Sequence, residues 1–297
     1  MYDSTNLFVL GATGQAGKLV ARNLRRREAS FSVGTRRKEK LEELAGQFGA
    51  SRFVDLDDPR TFDEALKNIT GIFLVTGYTV DMLVQSKSLI DAARRNGVRH
   101  IVHLGAFTRD PDAYATVFAW HQMIEAYIRD SGVAWTNLHP NMFMQSFLSV
   151  WSIKGGVYNA YTSKPVGFTA LEDVAEAAAV VLMEGPAKHN GADYWFSADV
   201  LTPHQVAETL TAATGRKFTA AIRKAEGFQN DTVQPDSAFE PAYAKGGFEL
   251  FDQVEDGRMA YVGSAVDDTT KLLGREPLLL REWAKQHAKE LLAMAGR

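Results

Sequence analysis

Leu7-Phe8-Val9-Leu10-Gly11-Ala12-Thr13-Gly14-Gln15-Ala16-Gly17 is the stretch whose reading settles the architecture. Its four leading apolar residues read as a short buried strand, and the residues after Gly17 as a helix predicted over 18–27. Glycine suits a turn with unusual backbone angles. It also lets the backbone approach a pyrophosphate, to which a helix start offers free N–H groups and the positive end of its dipole. The spacing is G-x-x-G-x-x-G, and three glycines in a loop also fit a plain tight turn. Their place between a strand and a helix is what favours Gly11, Thr13, Gly14, Gln15, Ala16 and Gly17 as a dinucleotide-binding turn.

Working outward, short apolar runs keep alternating with helical patterns. Strands are predicted at 31–35, 52–55, 71–76, 99–104 and 133–138, with helices at 38–48, 59–66, 80–96 and 115–130 between them. Such alternation implies a parallel sheet covered on both faces, an α/β doubly wound Rossmann fold. After Pro140 the rhythm changes. One more strand is expected near 193–197, helices at 171–183, 203–214 and 280–292, and an irregular segment over 228–247 that holds Pro235, Pro241 and Gly246-Gly247. The expected division is a Rossmann unit over 1–150, rejoined by the late strand, and a smaller, mainly substrate-binding lobe over 151–297.

The bulk numbers exclude several classes. The 297 residues are 45% hydrophobic and 23% charged, with net charge -3 and no cysteine. Disulfides, thiolate catalysis and cysteine metal sites are ruled out, and no metal site is expected. No basic stripe points to nucleic acid or to an anionic membrane. The start Met1-Tyr2-Asp3-Ser4-Thr5-Asn6 is polar, and the run 7–10 is too short for a secretory signal, so a cytoplasmic protein is expected. A homodimer is left open.

A carboxylate commonly ends the second strand of NAD-binding folds and bonds the ribose 2′-hydroxyl. Here that place reads Gly34-Thr35-Arg36-Arg37-Lys38. A guanidinium binds a 2′-phosphate through charge-assisted bonds worth on the order of 1.5–3 kcal/mol each, so Arg36 and Arg37 favour NADP(H). The other reading is a solvated basic helix start. Asp55 and Leu56 would flank the adenine, whereas Asp57 and Asp58 equally fit as caps for a helix at Pro59.

With these segments placed, the chain resembles the NmrA-like group of atypical short-chain dehydrogenase/reductases. That group includes NADP-sensing regulators, type 2 quinone oxidoreductases and triphenylmethane-dye reductases. The matching stretches are 11–17, His103-Leu104-Gly105-Ala106, Trp120-His121-Gln122-Met123-Ile124-Glu125, and Leu138-His139-Pro140-Asn141-Met142-Phe143-Met144. Asp267-Asp268 and Leu272-Leu273-Gly274-Arg275-Glu276-Pro277 continue the likeness. Wider members of the superfamily carry Tyr-x-x-x-Lys on the helix after the fifth strand, and extended members add a Glu four residues on. Aligning on Glu125 puts His121 at the Lys place and Val117 at the Tyr place, so the tyrosine proton donor is missing. The resemblance implies that His121 holds the nicotinamide ribose.

A site without that tyrosine favours acceptors that are already electrophilic: quinones, cationic arylmethane dyes and activated conjugated carbonyls. The expected function is thus NADPH-dependent hydride transfer to a small aromatic or conjugated substrate, with a non-catalytic NADP(H)-sensing regulator as the alternative. Thr76, Gly77, Tyr78, Gly105, Asn141 and Phe143 are expected around the cofactor, and Phe107, Met142, Trp151 and Phe168 around the substrate. For most of these, ordinary core packing is the competing reading. Tyr158 and Tyr114 are the spare phenolic proton donors beside His121, and His103 and His139 are expected to be satisfied structural groups.

Overall fold

The computed structural model describes residues 6–110, 115–234 and 239–296. Tyr114 and Pro235 lie outside the described residues. Six strands come from the first half: β1 (Leu7–Val9), β2 (Phe31–Thr35), β3 (Ser51–Phe53), β4 (Gly71–Leu74), β5 (His100–Leu104) and β6 (Ala134–Pro140). Among the described residues eight more follow: β7 (Met142–Phe143), β8 (Ile153–Lys154), β9 (Val157–Ala160), β10 (Val166–Thr169), β11 (Ala192–Ser197), β12 (Asp199–Leu201), β13 (Thr219–Ile222) and β14 (Val266–Asp267). The central sheet has the order β3-β2-β1-β4-β5-β6-β11-β14. All its pairs are parallel except the last, where β14 runs antiparallel to β11. The order reverses direction between β1 and β4, the switch point at which open α/β sheets bind ligands.

Both faces of this sheet are covered, as its apolar strands require. On one face lie α1 (Gln15–Arg26) and α2 (Leu41–Phe48), whose Val20, Leu24 and Phe48 pack on β1 and β2. On the other lie α3 (Phe62–Ala65), α4 (Met82–Arg95) and α5 (Thr116–Asp130), which bury Phe62, Leu89, Ile124 and Ile128. The helix α6 (Leu171–Glu184) returns beside α1. Its small alanines and Val174 enter the same core as β1, so residues well past 150 belong structurally to the sheet. A short α7 (Pro186–His189) leads into β11.

The remainder forms a lobe with its own core around Phe147, Phe168, Leu210 and Trp283. Two three-stranded sheets, β12-β10-β7 and β13-β9-β8, brace it. Its helices are α8 (Pro203–Thr214), α9 (Glu226–Thr232), α10 (Pro241–Glu255), α12 (Leu280–Gln286) and α13 (Ala288–Ala295), whereas α11 (Thr269–Leu273) packs Leu272 and Leu273 against the α6 side of the central sheet. Thr202 and Gln205 close a capping box at the start of α8. Two expectations change. The single helix over 280–292 is broken at His287, and much of the irregular segment is helical. Gly246-Gly247 sits inside α10 because the missing side chains admit neighbours. A Cβ on Gly246 would lie 2.3 Å from Val117 Cγ2, and one on Gly247 2.1 Å from the Phe228 ring.

Candidate functional site

The turn after β1 is built from backbone. Gly11 has φ +67° and a Cβ there would meet Val75 at 2.9 Å, while Gly14 N–H donates to Gly11 O at 2.8 Å. At Gly17 a Cβ would fall 2.3 Å from Leu10 O and 2.4 Å from Gly11 C, so only glycine lets α1 start this close to β1. Gly11, Thr13, Gly14 and Gln15 are exposed, and Ala16 half-buried. No side chain caps α1 at Gly14, and no acidic residue stands in its first turn. The first N–H groups of the helix are therefore open to an anion, in the arrangement a diphosphate needs.

Arg36 and Arg37 stand exposed just past β2. Arg36 Nη1 lies 3.6 Å from Asp57 Oδ2, with both side chains more than half exposed. Such a surface pair contributes about 0–1 kcal/mol and yields readily to a phosphate. Sequence spacing missed this carboxylate because it arrives from the end of β3. Asp57 also accepts from Gln85 Nε2 at 2.6 Å, whereas Asp58 caps the turn at Pro59 by accepting from Arg60 N–H. Asp55 Oδ1 accepts from Asp57 N–H, and Leu56 packs on the α3–α4 core.

The loop after β4 leaves Gly77 exposed and Thr76 half-buried. Tyr78 does not stand free: its ring stacks on Phe239 at 4.6 Å and meets Tyr243 edge-on at 5.1 Å. Glu240 N–H donates to Tyr78 O, which ties this loop to the lobe.

Several residues expected around the ligands are engaged elsewhere. Gly105 is buried, and the space its Cβ would fill is taken by Glu125 Oε1 at 2.8 Å, so its small size serves that carboxylate. Phe107 is 1% exposed, sealed between Trp195 and Tyr261, and offers no surface to a substrate. The Asn141 amide donates to Ser197 Oγ at 3.0 Å and Val262 O at 2.8 Å, and its Oδ1 accepts from Met142 N–H. Its hydrogen-bonding capacity thus holds β6 to the 262–264 segment instead of a cofactor. Phe143 packs against the α1–α6 core. Val117 at the tyrosine place is covered by Gly246 of α10, which leaves no room for a phenol there.

By contrast, Met142, Trp151, Tyr158 and Phe168 line one narrow cavity with Tyr161 and Phe251, whose free volume of about 20 Å³ is room for roughly one water molecule. Its walls are aromatic and aliphatic, but a flat organic ligand could enter only if they part, since ligand pockets span roughly 300–1,000 Å³. Burial pushes the Tyr158 phenol well above its ordinary value, so it can donate a hydrogen bond but resists releasing its proton.

His121 on α5 is buried, and that burial, with the charge of His139 adding to it, lowers its imidazole to about 4. Glu125, one turn on, is 3% exposed, and burial raises it to about 7 against the opposing charges of His139 and Arg129. His139 is satisfied as expected: Nδ1 faces Ala106 O at 2.8 Å and Nε2 faces Asp193 Oδ1 at 3.0 Å. His103 is not, because its buried Nδ1 has no hydrogen-bond partner. Among the described residues, no three His, Asp or Glu side chains converge as metal ligands, and no helix is long and apolar enough to cross a membrane.

Three comparisons bear on this arrangement. The family model of the NmrA-like family matches residues 3–256. The chain is 28% identical over 288 residues to an NAD(P)H azoreductase of Xenophilus azovorans, covering 95% of this chain and 98% of that protein. The triphenylmethane reductase of Citrobacter sp., crystallised with NADP(H), superposes with TM-score 0.79 at 25% identity, over 95% of this chain and 99% of its own. The NADPH-dependent quinone oxidoreductase of Escherichia coli, solved with NADPH, has the same fold at TM-score 0.80 and 23% identity, over 94% and 99% of the two chains.

Proposed function

This chain belongs to the NmrA-like family, and on that premise we propose that it is an NADPH-dependent oxidoreductase acting on a small, flat, electrophilic acceptor such as an azo compound, a quinone or a cationic arylmethane dye. The observation that carries the reading is an uncapped, glycine-built helix start beside two arginines, Arg36 and Arg37. Bound NADPH supplies a hydride from C4 of its nicotinamide ring. The amides at the start of α1 grip its diphosphate. Arg36 and Arg37 take the 2′-phosphate, with Asp57 giving up its surface contact. His121 holds the nicotinamide ribose, and the aromatic walls around Met142, Trp151 and Tyr158 part to admit the acceptor and then exclude water from it.

The acceptor class follows from what stands where a tyrosine would. Val117 under Gly246 offers no proton to a ketone oxygen, so an acceptor that is electrophilic by itself is favoured. The relatives named for azo compounds and triphenylmethane support that class. The test follows NADPH absorbance with an azo compound, a quinone, a cationic dye and an aliphatic ketone. Turnover of one or more of the first three, with the ketone inert, is expected, and the reverse pattern would overturn the reading. Tight NADPH binding without turnover of any acceptor would favour a cofactor-sensing regulator, which the loss of the tyrosine also fits.

A further inference from the structure

The functional reading gives His121 a task but leaves the ionisable side chains packed around it without one. His103 on β5, His121 and Glu125 on α5, and His139 on β6 are each less than a tenth exposed. Their contacts form a series that begins at the surface, at Asp193 on β11, whose side chain is 37% exposed. Asp193 Oδ1 lies 3.0 Å from His139 Nε2, and His139 Nδ1, shared with Ala106 O, lies 3.6 Å from Glu125 Oε1. Glu125 Oε1 lies 3.9 Å from His103 Nδ1, and the His103 and His121 ring centres are 5.5 Å apart. Three atoms of the series, Glu125 Oε1, His103 Nδ1 and His121 Nδ1, are buried with no hydrogen-bond partner. Each such atom costs about 1–3 kcal/mol, a burden that a purely structural cluster has no reason to gather in one place.

We propose that this series is a proton-supply path that replaces the absent tyrosine–lysine pair: protons enter at Asp193, are stored on Glu125 and pass through His103 to His121. The proposal rests on the reading above, which sets His121 at the nicotinamide ribose. Glu125, His103 and His139 act through His121 and touch no substrate.

An azo acceptor shows why a supply is needed. It gains an N–H bond as the C4–H bond of the reduced cofactor breaks and gives up its electron pair. The N=N π pair moves to the second nitrogen, which must take one proton to give the hydrazine. A cationic arylmethane dye takes the same hydride at carbon, its charge is cancelled, and no proton is consumed. The groups facing Glu125 are His103 from β5, His139 from β6, Asp193 from β11 and Arg129 from its own helix. With burial they set its carboxyl near neutrality, so it holds a proton it can release. Burial likewise keeps His103 and His121 neutral. A neutral imidazole relays a proton by accepting on one nitrogen while donating from the other. At the entrance, burial alone would raise Asp193, but hydrogen bonds from His139 and Asn137 hold its carboxyl below the ordinary value.

The test compares wild type with Glu125→Gln and Asp193→Asn on an azo compound and on a cationic arylmethane dye across the neutral pH range, with NADPH affinity measured for each. The wild-type azo rate is expected to fall as pH rises through about 7. Glu125→Gln should lower it roughly tenfold or more and remove that pH dependence. Asp193→Asn should lower it less, with dye reduction and NADPH affinity unchanged in both variants. Equal losses on the two acceptors, or an unaltered azo rate and pH profile in Glu125→Gln, would overturn the path. A wild-type protein that reduces neither acceptor sinks the functional reading itself, and the proposal with it. A second readout needs no turnover. In cofactor-free protein, the infrared band of a protonated carboxyl should persist to near-neutral pH and be missing in Glu125→Gln, and its absence from wild type would also overturn the path.

Discussion

The glycine turn after β1 and the ionisable cluster behind Gly105 use glycine for opposite ends. At the turn, glycine brings backbone to the surface and leaves N–H groups open. At Gly105 it withdraws backbone so that a carboxylate can be buried against it. The first region works through main chain and offers its N–H groups outward. The second works through side chains from three strands and one helix, and its energetics lie in desolvation. One is sensitive to volume, the other to charge.

Changes in volume should hit the turn hardest. Gly17→Ala would place a Cβ 2.3 Å from Leu10 O, against backbone that cannot yield. Loss of measurable NADPH binding is expected, with a lowered melting temperature, read by fluorescence titration and thermal unfolding. Unaltered binding would mean that α1 does not need its close approach to β1.

Changes in charge should mark the cluster next. Glu125 has a folded-state value raised from 4.5 to about 7, so the unfolded chain gives up this proton first as pH rises. Its contribution to stability is lost between those values, by roughly 3 kcal/mol, and stays lost above them. Glu125→Gln does not titrate, so its stability relative to wild type should improve from acid toward alkaline pH. His121, lowered to about 4, acts on the acid side, where stability falls as pH drops below the ordinary histidine value. Denaturant melts of both proteins across pH check the sign, and a constant difference would contradict the raised carboxyl.

Smaller effects sharpen the contrast. Arg36→Asp should weaken NADPH by one or two decades, on the order of 1.5–3 kcal/mol, while NADH changes little, as read by titration with both cofactors. An equal loss for both would place Arg36 on the shared diphosphate instead of the 2′-phosphate. Gly46 in α2 is the control: nothing lies within 4 Å of a Cβ built there. Gly46→Ala should stabilise by about 0.5–1 kcal/mol and leave NADPH affinity alone. A loss of affinity there would show that the turn's sensitivity is not local.

The same contrast explains what could be read from the chain. The turn was legible because strand, glycines and helix start are contiguous and each answers a local backbone demand. The positions of the first six strands along the chain followed from their apolar runs. The ionisable cluster was not, since His103, Glu125, His139 and Asp193 are joined only by the register of β5, β6 and β11. Asn141 misled for a related reason: its neighbours Met142 and Phe168 do line a cavity, but its amide is claimed by Ser197 and Val262 from distant segments. Gly246-Gly247 looked like a loop because glycine weakens an isolated helix, yet here it lets α10 close on Val117 and Phe228. The short lobe strands, two to four residues each, leave too little sequence for a period to show.

The central claim is that open amides at the start of α1 and the guanidinium of Arg36 together select a phosphorylated dinucleotide. Calorimetric titration of the wild-type protein with NADPH and with NADH tests it most directly. NADPH should bind about tenfold or more tightly than NADH, at a single site. No measurable heat with either, or equal affinity for both, would contradict it.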